Sequence, residues 1–176
     1  SFSGFFSNGI ENNFKTSFLS LKDLKARLGS SDYTGSLVIS GFSRPLTELA
    51  MKGRVFPGEL KEFFNIKNIF SAEGSVDVDL NLITYFWPKD SVTITDIIDL
   101  KPEATLRFKS FSLEMEPGKL SVRDVNGAID VSDTISADHL NFTYKDQNIA
   151  VDGKFFNLPD WLAGRPVKMT ASANLS

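Results

Sequence analysis

The sequence has no cysteine, one histidine and no long apolar run among its 176 residues. Without cysteine the chain has no disulfide framework, no thiol nucleophile and no thiolate metal ligand. With His139 as the one histidine, a nucleophile–base arrangement that uses two histidines is excluded. No stretch approaches the roughly 18 to 20 apolar residues that cross a bilayer as a helix. The first residues have neither the basic nor the apolar segment of a signal peptide.

A surplus of positive charge is also missing. Lysine and arginine total 19 against 22 acidic residues, so the formal net charge is −3. Because binding to nucleic-acid phosphates requires a local excess of cations, this balance argues against a nucleic-acid partner. Tyrosine and tryptophan are scarce, at 3 and 2, whereas phenylalanine contributes 16 residues. Phenylalanine adds apolar area without a polar group, which indicates burial or contact with apolar ligands.

Motifs that carry catalysis or metal binding are absent as well. Segment 77–81 begins like a calcium loop, but Leu82 stands where that loop needs glycine and Pro88 occupies its twelfth position. Segment 41–45 lacks the second glycine of a nucleophile elbow. His139 lies on the polar side of a predicted strand, which predicts a solvent-exposed side chain. We therefore expect a protein that is not an enzyme, with no catalytic residue, no metal and no cofactor.

What the sequence has in abundance is alternation of apolar and polar residues. In segment 76–82, valine and leucine alternate with aspartate and asparagine, as in a strand with one buried and one wet face. Segments 140–145 and 167–175 show the same period of two. Another strand begins at 106–108, and its apolar positions change phase at Phe111, which predicts a β-bulge. Turn residues separate the alternating runs at 29–32, 88–90, 116–119 and 145–148.

Helical patterns are scarce by comparison. Segment 57–64 starts with proline and places its apolar residues on one side, and segment 157–164 ends with a glycine that stops a helix. We expect both to form helices of one or two turns that cap a sheet. The chain is therefore predicted to be mainly β, with consecutive strands joined as antiparallel hairpins.

An internal repeat is the most informative feature of the sequence. Residues 19–28 align with residues 120–129 at an offset of 101, with identical Leu, Ser and Asp positions and conservative exchanges elsewhere. We interpret residues 1–176 as a single β-rich fragment of a longer protein, with internal repeats at about 14–100 and 104–176. The predicted fold is a curved antiparallel sheet built from two repeats. We expect it to be folded over as a taco-like groove or a sandwich, with two short helical turns.

The alternating strands present many apolar side chains on one side, and we expect these to line a groove for lipid acyl chains. A buried methylene contributes about 0.8 kcal/mol, so exposing a chain of about 15 methylenes to water costs roughly 12 kcal/mol. An apolar groove removes most of that cost without any directional chemistry. The predicted lining residues are Val76, Val78, Leu80, Leu82, Leu106, Phe108, Leu140, Phe142, Val167 and Met169.

The order of these residues resembles the repeat of AsmA-like proteins. The resemblance spans most of the chain and rests on strand spacing and glycines. In the first copy it rests on Leu21-x-x-Leu24-x-Ala26-x-Leu28, Gly35-x-Leu37-x-Ile39, Pro45-x-x-x-Leu49, Gly53 and Gly74-x-Val76-x-Val78-x-Leu80. In the second copy it rests on residues 125–129, Leu140-x-Phe142, residues 153–159 and residues 161–162.

What this resemblance implies is a periplasmic segment of a Gram-negative envelope protein. Members of the family are anchored in the inner membrane by an N-terminal helix, and their long β groove is associated with phospholipid transfer toward the outer membrane. The resemblance therefore implies phospholipid acyl chains as ligands, other envelope proteins as further partners, and an inner-membrane anchor that precedes this chain. The family has no catalytic residues to carry over.

Two other functions stay open at the level of the sequence. One is a non-catalytic β-sandwich interaction module that docks other envelope proteins during outer-membrane protein assembly. The other is a carbohydrate-binding or adhesion domain, which needs exposed tryptophan and tyrosine. Trp87 and Trp161 both stand near proline in turn-like contexts, which predicts that each packs under a turn.

Overall fold

The computed structural model describes residues 1–63, 69–85, 99–115, 121–162 and 164–175. Strands and two short helices account for most of these ranges. The strands are β1 (Ser3–Ser7), β2 (Phe18–Leu28), β3 (Ser31–Ser40), β4 (Leu46–Val55), β5 (Ile69–Tyr85), β6 (Glu103–Met115), β7 (Ser121–Val131), β8 (Thr134–Tyr144), β9 (Gln147–Phe156) and β10 (Thr170–Leu175). The helices are α1 (Pro57–Phe63) and α2 (Leu158–Leu162).

The ten strands form one open antiparallel sheet in the order of the sequence, from β1 at one edge to β10 at the other. The larger contacts between strands all join neighbours within this sheet. In the described part of the chain, therefore, the strands make a single layer and no second sheet packs against it. The prediction of a mainly β, antiparallel fold with two short helical turns is confirmed.

The local predictions for helices and turns are confirmed where the structure describes them. The patterns at 57–64 and 157–164 correspond to α1 and α2. The turn residues at 29–32 connect β2 with β3, and those at 145–148 connect β8 with β9. The turns predicted at 88–90 and 116–119 lie outside the described residues.

The strand register gives the sheet one apolar face and one polar face. Directly opposed residues of neighbouring strands point their side chains to the same side of a sheet. Val78 of β5 pairs with Gly53 of β4 and Leu106 of β6, whereas the adjacent Asp77 pairs with Arg54. Followed from strand to strand, one side carries mainly apolar residues and the other carries most of the charges. The apolar face includes Leu21, Leu24, Leu37, Leu49, Met51, Val76, Val78, Leu80, Leu82, Leu106, Phe108, Val125, Ile129, Ala137, Leu140, Phe142, Val151 and Ala173.

β-Bulges keep the apolar residues in phase along the longer strands. The pairing of β6 with β7 shifts after Phe108, as the phase change predicted, and Ser110 in the extra position has a φ of 45°. Gly74 of β5 lies beside it with a φ of 80°. In β2 and β7 the extra residues are Asp23 and Asp124, with φ of 51° and 54°. Each insertion returns the next apolar residue to the same face and bends the strand locally.

The order of three strands, a helix and a strand occurs twice along the chain. β2–β3–β4–α1–β5 is the first occurrence and β7–β8–β9–α2–β10 is the second, and the two helices begin at residues 57 and 158. The second unit starts five strands after the first. Because five is odd, the second unit runs in the opposite direction in an antiparallel sheet. The two helices therefore lie at opposite ends of the strands.

The sheet has little enclosed interior. The buried hydrophobic residues of the described chain all lie on the side of the apolar face, and they are Ala72, Val76, Val125, Ala137 and Val151. The accessible surface is 11791 Å², whereas a compact monomer of 19.5 kDa exposes about 8,500 Å². A single layer accounts for this excess, because no second layer in the described part of the chain removes the apolar side from water.

Strand β10 begins later than the alternating pattern predicts. The pattern covers 167–175, but the strand starts at Thr170. Thr170 pairs with Phe156, where β9 ends, so none of the described strands extends beside residues 167–169. The prediction of a strand over these three residues is wrong because alternation reports a local preference, and a strand also needs a partner.

Candidate functional site

The apolar face is the candidate functional site, because eight of the ten predicted lining residues lie on it. Those on β5 and β6 form a contiguous patch, since Val76 pairs with Phe108 and Val78 pairs with Leu106. Leu140 and Phe142 of β8 lie on the same face, one strand beyond β7. The residues that the structure brings together on this face are Val76, Val78, Leu80, Leu82, Leu106, Phe108, Leu140 and Phe142.

The other two predicted lining residues are not part of this strand surface. Val167 and Met169 lie in the connection between α2 and β10. Val167 is half-buried, and Met169 has 39% of its surface exposed. Their position follows from the late start of β10, which leaves both residues beyond the last paired position of β9.

A concavity of 310 Å³ lies on the apolar face over β2, β3 and β4, where the sequence reasoning placed no lining residue. Cavities of small-molecule sites begin at roughly 300 Å³. The signal in the sequence is a pair of small residues, Ala26 and Gly35, among large ones on the same face. A Cβ at Gly35 would lie 2.2 Å from the carbonyl oxygen of Ala50, so this position requires glycine. The apolar residues that line the concavity include Phe2, Leu24, Ala26, Tyr33, Leu49 and Met51.

The apolar face is wide compared with a lipid tail. Ten strands have nine spacings, which at about 4.8 Å each extend across roughly 43 Å. A lipid acyl chain spans half of a hydrocarbon core of about 30 Å, or roughly 15 Å. The face therefore has room for more than one acyl chain laid across the strands.

Helix α1 is fixed at one end of this face by a buried serine. Ser31 is fully buried, and its hydroxyl accepts a hydrogen bond from the N–H of Phe56 at 3.1 Å and donates to Glu59 at 3.2 Å. The Glu59 carboxylate also accepts the backbone N–H of Ser30 at 2.9 Å, which lowers the pKa of Glu59. These bonds tie the start of α1 to the β2–β3 turn, and α1 packs against β5.

The polar face is held by ion pairs between neighbouring strands. Asp77 of β5 accepts two hydrogen bonds from the Arg54 guanidinium, at 2.6 and 3.1 Å, and lies 3.1 Å from Lys109 of β6. The hydrogen bond from Arg54 is the main reason that the pKa of Asp77 is lowered to about 2. Lys52 and Asp79 form a similar pair at 2.8 Å. The acidic side chains of β5 are therefore paired with basic side chains of β4 and β6.

A polar cluster combines the one histidine with two carboxylates. Possible ligand atoms of Asp138, His139 and Asp152 lie within 4.8 Å of one another. Nδ1 of His139 is 2.6 Å from Asp138 and 3.5 Å from Asp152, and the hydrogen bond with Asp138 is the main cause of its raised pKa. A divalent cation would have to replace the histidine proton to bind here. The predicted exposure of His139 is confirmed, at 83% for the side chain; the cluster was missed because Asp152 comes from the neighbouring strand.

The tryptophans bear on the carbohydrate-binding alternative. Trp161 on α2 is 53% exposed, so the prediction that it packs under a turn is wrong. The reason is that α2 follows the end of β9 and, among the described elements, chiefly contacts β8. Trp87 lies outside the described residues. A single half-exposed tryptophan in the described chain does not form a stacking platform for a sugar.

Comparisons with known proteins return no match among family models, curated proteins or solved structures. Within the ranges described above, no helix has both the length and the apolar composition needed to cross a membrane. The candidate site therefore rests on the geometry of the apolar face itself.

Proposed function

We propose that the chain binds lipid acyl chains on its apolar face as a segment of an AsmA-like envelope protein, in phospholipid transport or outer-membrane maintenance. In this proposal the chain works in the periplasm of a Gram-negative bacterium, and the full-length protein is anchored in the inner membrane. The chain is non-catalytic, and phospholipid acyl chains are its ligands.

The observation that carries the proposal is an apolar face that no described layer of the protein covers. Burying roughly 300 Å² of such a surface contributes about 7 kcal/mol before the cost of ordering the ligand. An ordinary two-layer fold uses this contribution for its own core. Because no second layer covers the face among the described residues, our proposal assigns this contribution to a ligand.

The chemistry of the face favours an acyl chain over a polar ligand. Specific recognition of a polar group needs converging donors or acceptors. The fully buried hydroxyl on this face, that of Ser31, is already engaged by Phe56 and Glu59. A hydrocarbon chain requires apolar contact alone, and the side chains of β5, β6 and β8 together with the concavity over β2–β4 supply it.

The first test is extraction of the purified chain with organic solvent, followed by mass spectrometry. We expect phospholipid in a fixed molar ratio to protein, because the apolar face acquires lipid from the expression host. A chain that carries no lipid and takes up none from added phospholipid would contradict the proposal. That result would favour the alternative of an interaction module for other envelope proteins.

A matched pair of variants on one strand locates the binding surface. Leu80→Asp places a carboxylate on the apolar face, and Asn81→Asp places the same group on the polar face. We expect uptake of a fluorescent phospholipid to fall at least about tenfold in the first variant and to change less than about twofold in the second. If Leu80→Asp does not fold, the neutral variant Leu80→Gln replaces it in the same uptake assay. Equal uptake by Leu80→Gln, Asn81→Asp and the unaltered chain would refute the site.

A further inference from the structure

The loop between β1 and β2, residues 8–17, exposes two large apolar side chains. Ile10 is 103% exposed and Phe14 is 74% exposed. The base of the loop is closed by a hydrogen bond of 3.0 Å from the Thr16 hydroxyl to the carbonyl oxygen of Asn8. The two side chains therefore project from an ordered loop, which presents them to solvent.

The loop consists of two consecutive β-turns, and each carries one of these side chains at its corner. The turns comprise residues 9–12 and 13–16 and are closed by backbone hydrogen bonds of 3.3 and 3.2 Å. Ile10 and Phe14 occupy the second position of each turn, where most residues fit and proline is favoured because its φ is preset. Packing within the fold does not explain a large apolar residue at both corners.

Cations and an aromatic hydroxyl lie at the same end of the sheet. Lys15 follows Phe14 within the second turn. The β3–β4 turn is bonded to the loop through the carbonyl oxygen of Ser17, at 2.9 Å, and it carries Arg44, whose guanidinium is 4.7 Å from the ring centre of Tyr85. The acid within the loop, Glu11, accepts a hydrogen bond from a neighbouring asparagine. Apolar tips beside cations and tyrosine are typical of surfaces that sit at a membrane–water interface.

The size of this surface favours a lipid bilayer over a protein partner. A stable protein interface buries about 800 Å² on each side, whereas the loop offers two protruding side chains. Each side chain of this size increases partition into hydrocarbon by roughly 10- to 100-fold. Because the loop is held by its own hydrogen bonds, it does not have to be ordered on binding.

We propose that the β1–β2 loop is a membrane-contact site. Ile10 and Phe14 insert into the interface of an anionic phospholipid bilayer, and Lys15 and Arg44 face its phosphates. The inference deepens the proposed function and rests on it for its purpose, since contact at this end brings the apolar face to a source of lipid. Binding to the bilayer itself does not require the apolar face to be able to take up an acyl chain.

The absence of cysteine allows the contact to be mapped with a single fluorescent label. Phe14→Cys carries a polarity-sensitive dye on the loop, and Asp146→Cys carries the same dye on the β8–β9 turn at the opposite end of the strands. Vesicles contain phosphatidylethanolamine and phosphatidylglycerol in a 3:1 ratio, a composition we choose for the assay. We expect the emission to rise and shift to the blue at position 14 and to stay unchanged at position 146. An equal response at both positions, or none at either, would overturn the proposal.

Flotation of the unlabelled chain with the same vesicles separates this loop from exposed apolar residues elsewhere. The double variant Ile10→Asn/Phe14→Asn keeps turn-compatible residues and should lose at least about tenfold in vesicle binding. The control Phe70→Asn/Phe156→Asn removes two other exposed phenylalanines and should change it less than about twofold. Unchanged binding by the loop variant would refute the contact and would leave a protein partner as the remaining use of the loop.

The two proposals fail in distinguishable ways. If the loop variant loses vesicle binding but still takes up a fluorescent phospholipid added as monomer, both proposals are supported. If the unaltered chain binds vesicles through the loop but takes up no acyl chain, the proposed function fails and the membrane contact holds. If acyl chains are taken up but vesicles are not bound, the membrane contact alone fails.

Discussion

Adjacent residues of strand β5 form its two faces, and the two faces differ in whether their side chains have partners within the protein. Asp77 and Asp79 on the polar face are paired with cations of the neighbouring strands, so their charges are matched within the protein. Val78 and Leu80 on the apolar face contact their neighbours in the sheet, but no second layer covers them in the described part of the chain. The charges of the polar face are thus matched within the protein, whereas the apolar face keeps the surface to which our proposal assigns a ligand.

This difference between the faces predicts how strongly substitutions on each face change the stability of the sheet. Exposed ion pairs contribute at most about 1 kcal/mol each, whereas burial of a large apolar side chain contributes about 1.5–3 kcal/mol. We therefore expect the largest loss of stability from a substitution that disrupts a β-bulge and so turns apolar residues to the wrong face. A substitution at the end of the apolar face where α1 is attached should have a smaller effect, and one on the polar face the smallest.

The largest effect is expected from breaking a bulge. A Cβ at Gly74 would lie 2.2 Å from the carbonyl oxygen of Ser110, and the φ of 80° disfavours any side chain. Gly74→Ala should therefore lower stability by about 3 kcal/mol, which is roughly 6–12 °C in melting temperature for a chain of this size.

A second glycine separates the clash from the backbone conformation. Gly164 has a similar φ of 73°, but nothing lies within 4 Å of its Cβ position. Gly164→Ala should lose about 1–2 kcal/mol from conformation alone. Thermal unfolding by circular dichroism measures both variants. Equal melting temperatures of the two variants would show that the close approach of β5 and β6 at Gly74 does not contribute to stability.

An intermediate effect is expected at the buried serine of the apolar face. Ser31→Ala removes the acceptor of the Phe56 N–H and one donor to Glu59. Because a buried group then loses its partner, stability should fall by about 2 kcal/mol. Ser36→Ala makes the same change on the polar face of β3 and should stay within about 0.5 kcal/mol. Urea unfolding gives both values, and similar losses would contradict the distinction between the faces.

The smallest effect is expected on the polar face, at Asp77. Its pKa of about 2 is below its ordinary value of 3.8, so the charged form stabilises the folded state. That contribution is present above pH 4 and is lost as the pH falls toward 2. Asp77→Asn should therefore cost about 1 kcal/mol at pH 7, since the pair is partly solvated.

The pH dependence is the sharper test of this ion pair. The difference in melting temperature between Asp77→Asn and the unaltered chain should narrow from pH 4 to pH 2, where the aspartate is itself neutralised. A difference that stays constant over this range would assign the effect to side-chain packing. A loss above about 3 kcal/mol at pH 7 would place more stability on the polar face than surface ion pairs supply.

Several features were predictable because they are local. The period of two in 76–82 placed Val78 and Leu80 on one face and Asp77 and Asp79 on the other, as the register shows. The phase change after Phe108 predicted a bulge, since the inward position of a strand cannot change without an extra residue. In the same way, Pro57 predicted the start of α1, and Gly164 predicted the end of α2.

Other features were missed because they depend on partners distant in sequence. The strand predicted over 167–169 did not form, since β9 ends at Phe156 and leaves those residues unpaired. The concavity over β2–β4 arises where Ala26 and Gly35 lie diagonally across neighbouring strands, which alternation along one strand does not reveal. The cluster around His139 likewise depends on Asp152 of the next strand. The AsmA-like family, the lipid ligand and the envelope location stay predictions.

Local chemistry thus decided which segments become strands and which side of each strand is apolar, because side-chain alternation and turn preferences act over a few residues. Long-range pairing decided that all ten strands join in one open layer. The sequence pattern of an apolar face is the same whether a second sheet or a ligand covers it, because the covering surface is set by tertiary contacts. That decision belongs to the tertiary structure, in which no described element covers the apolar face.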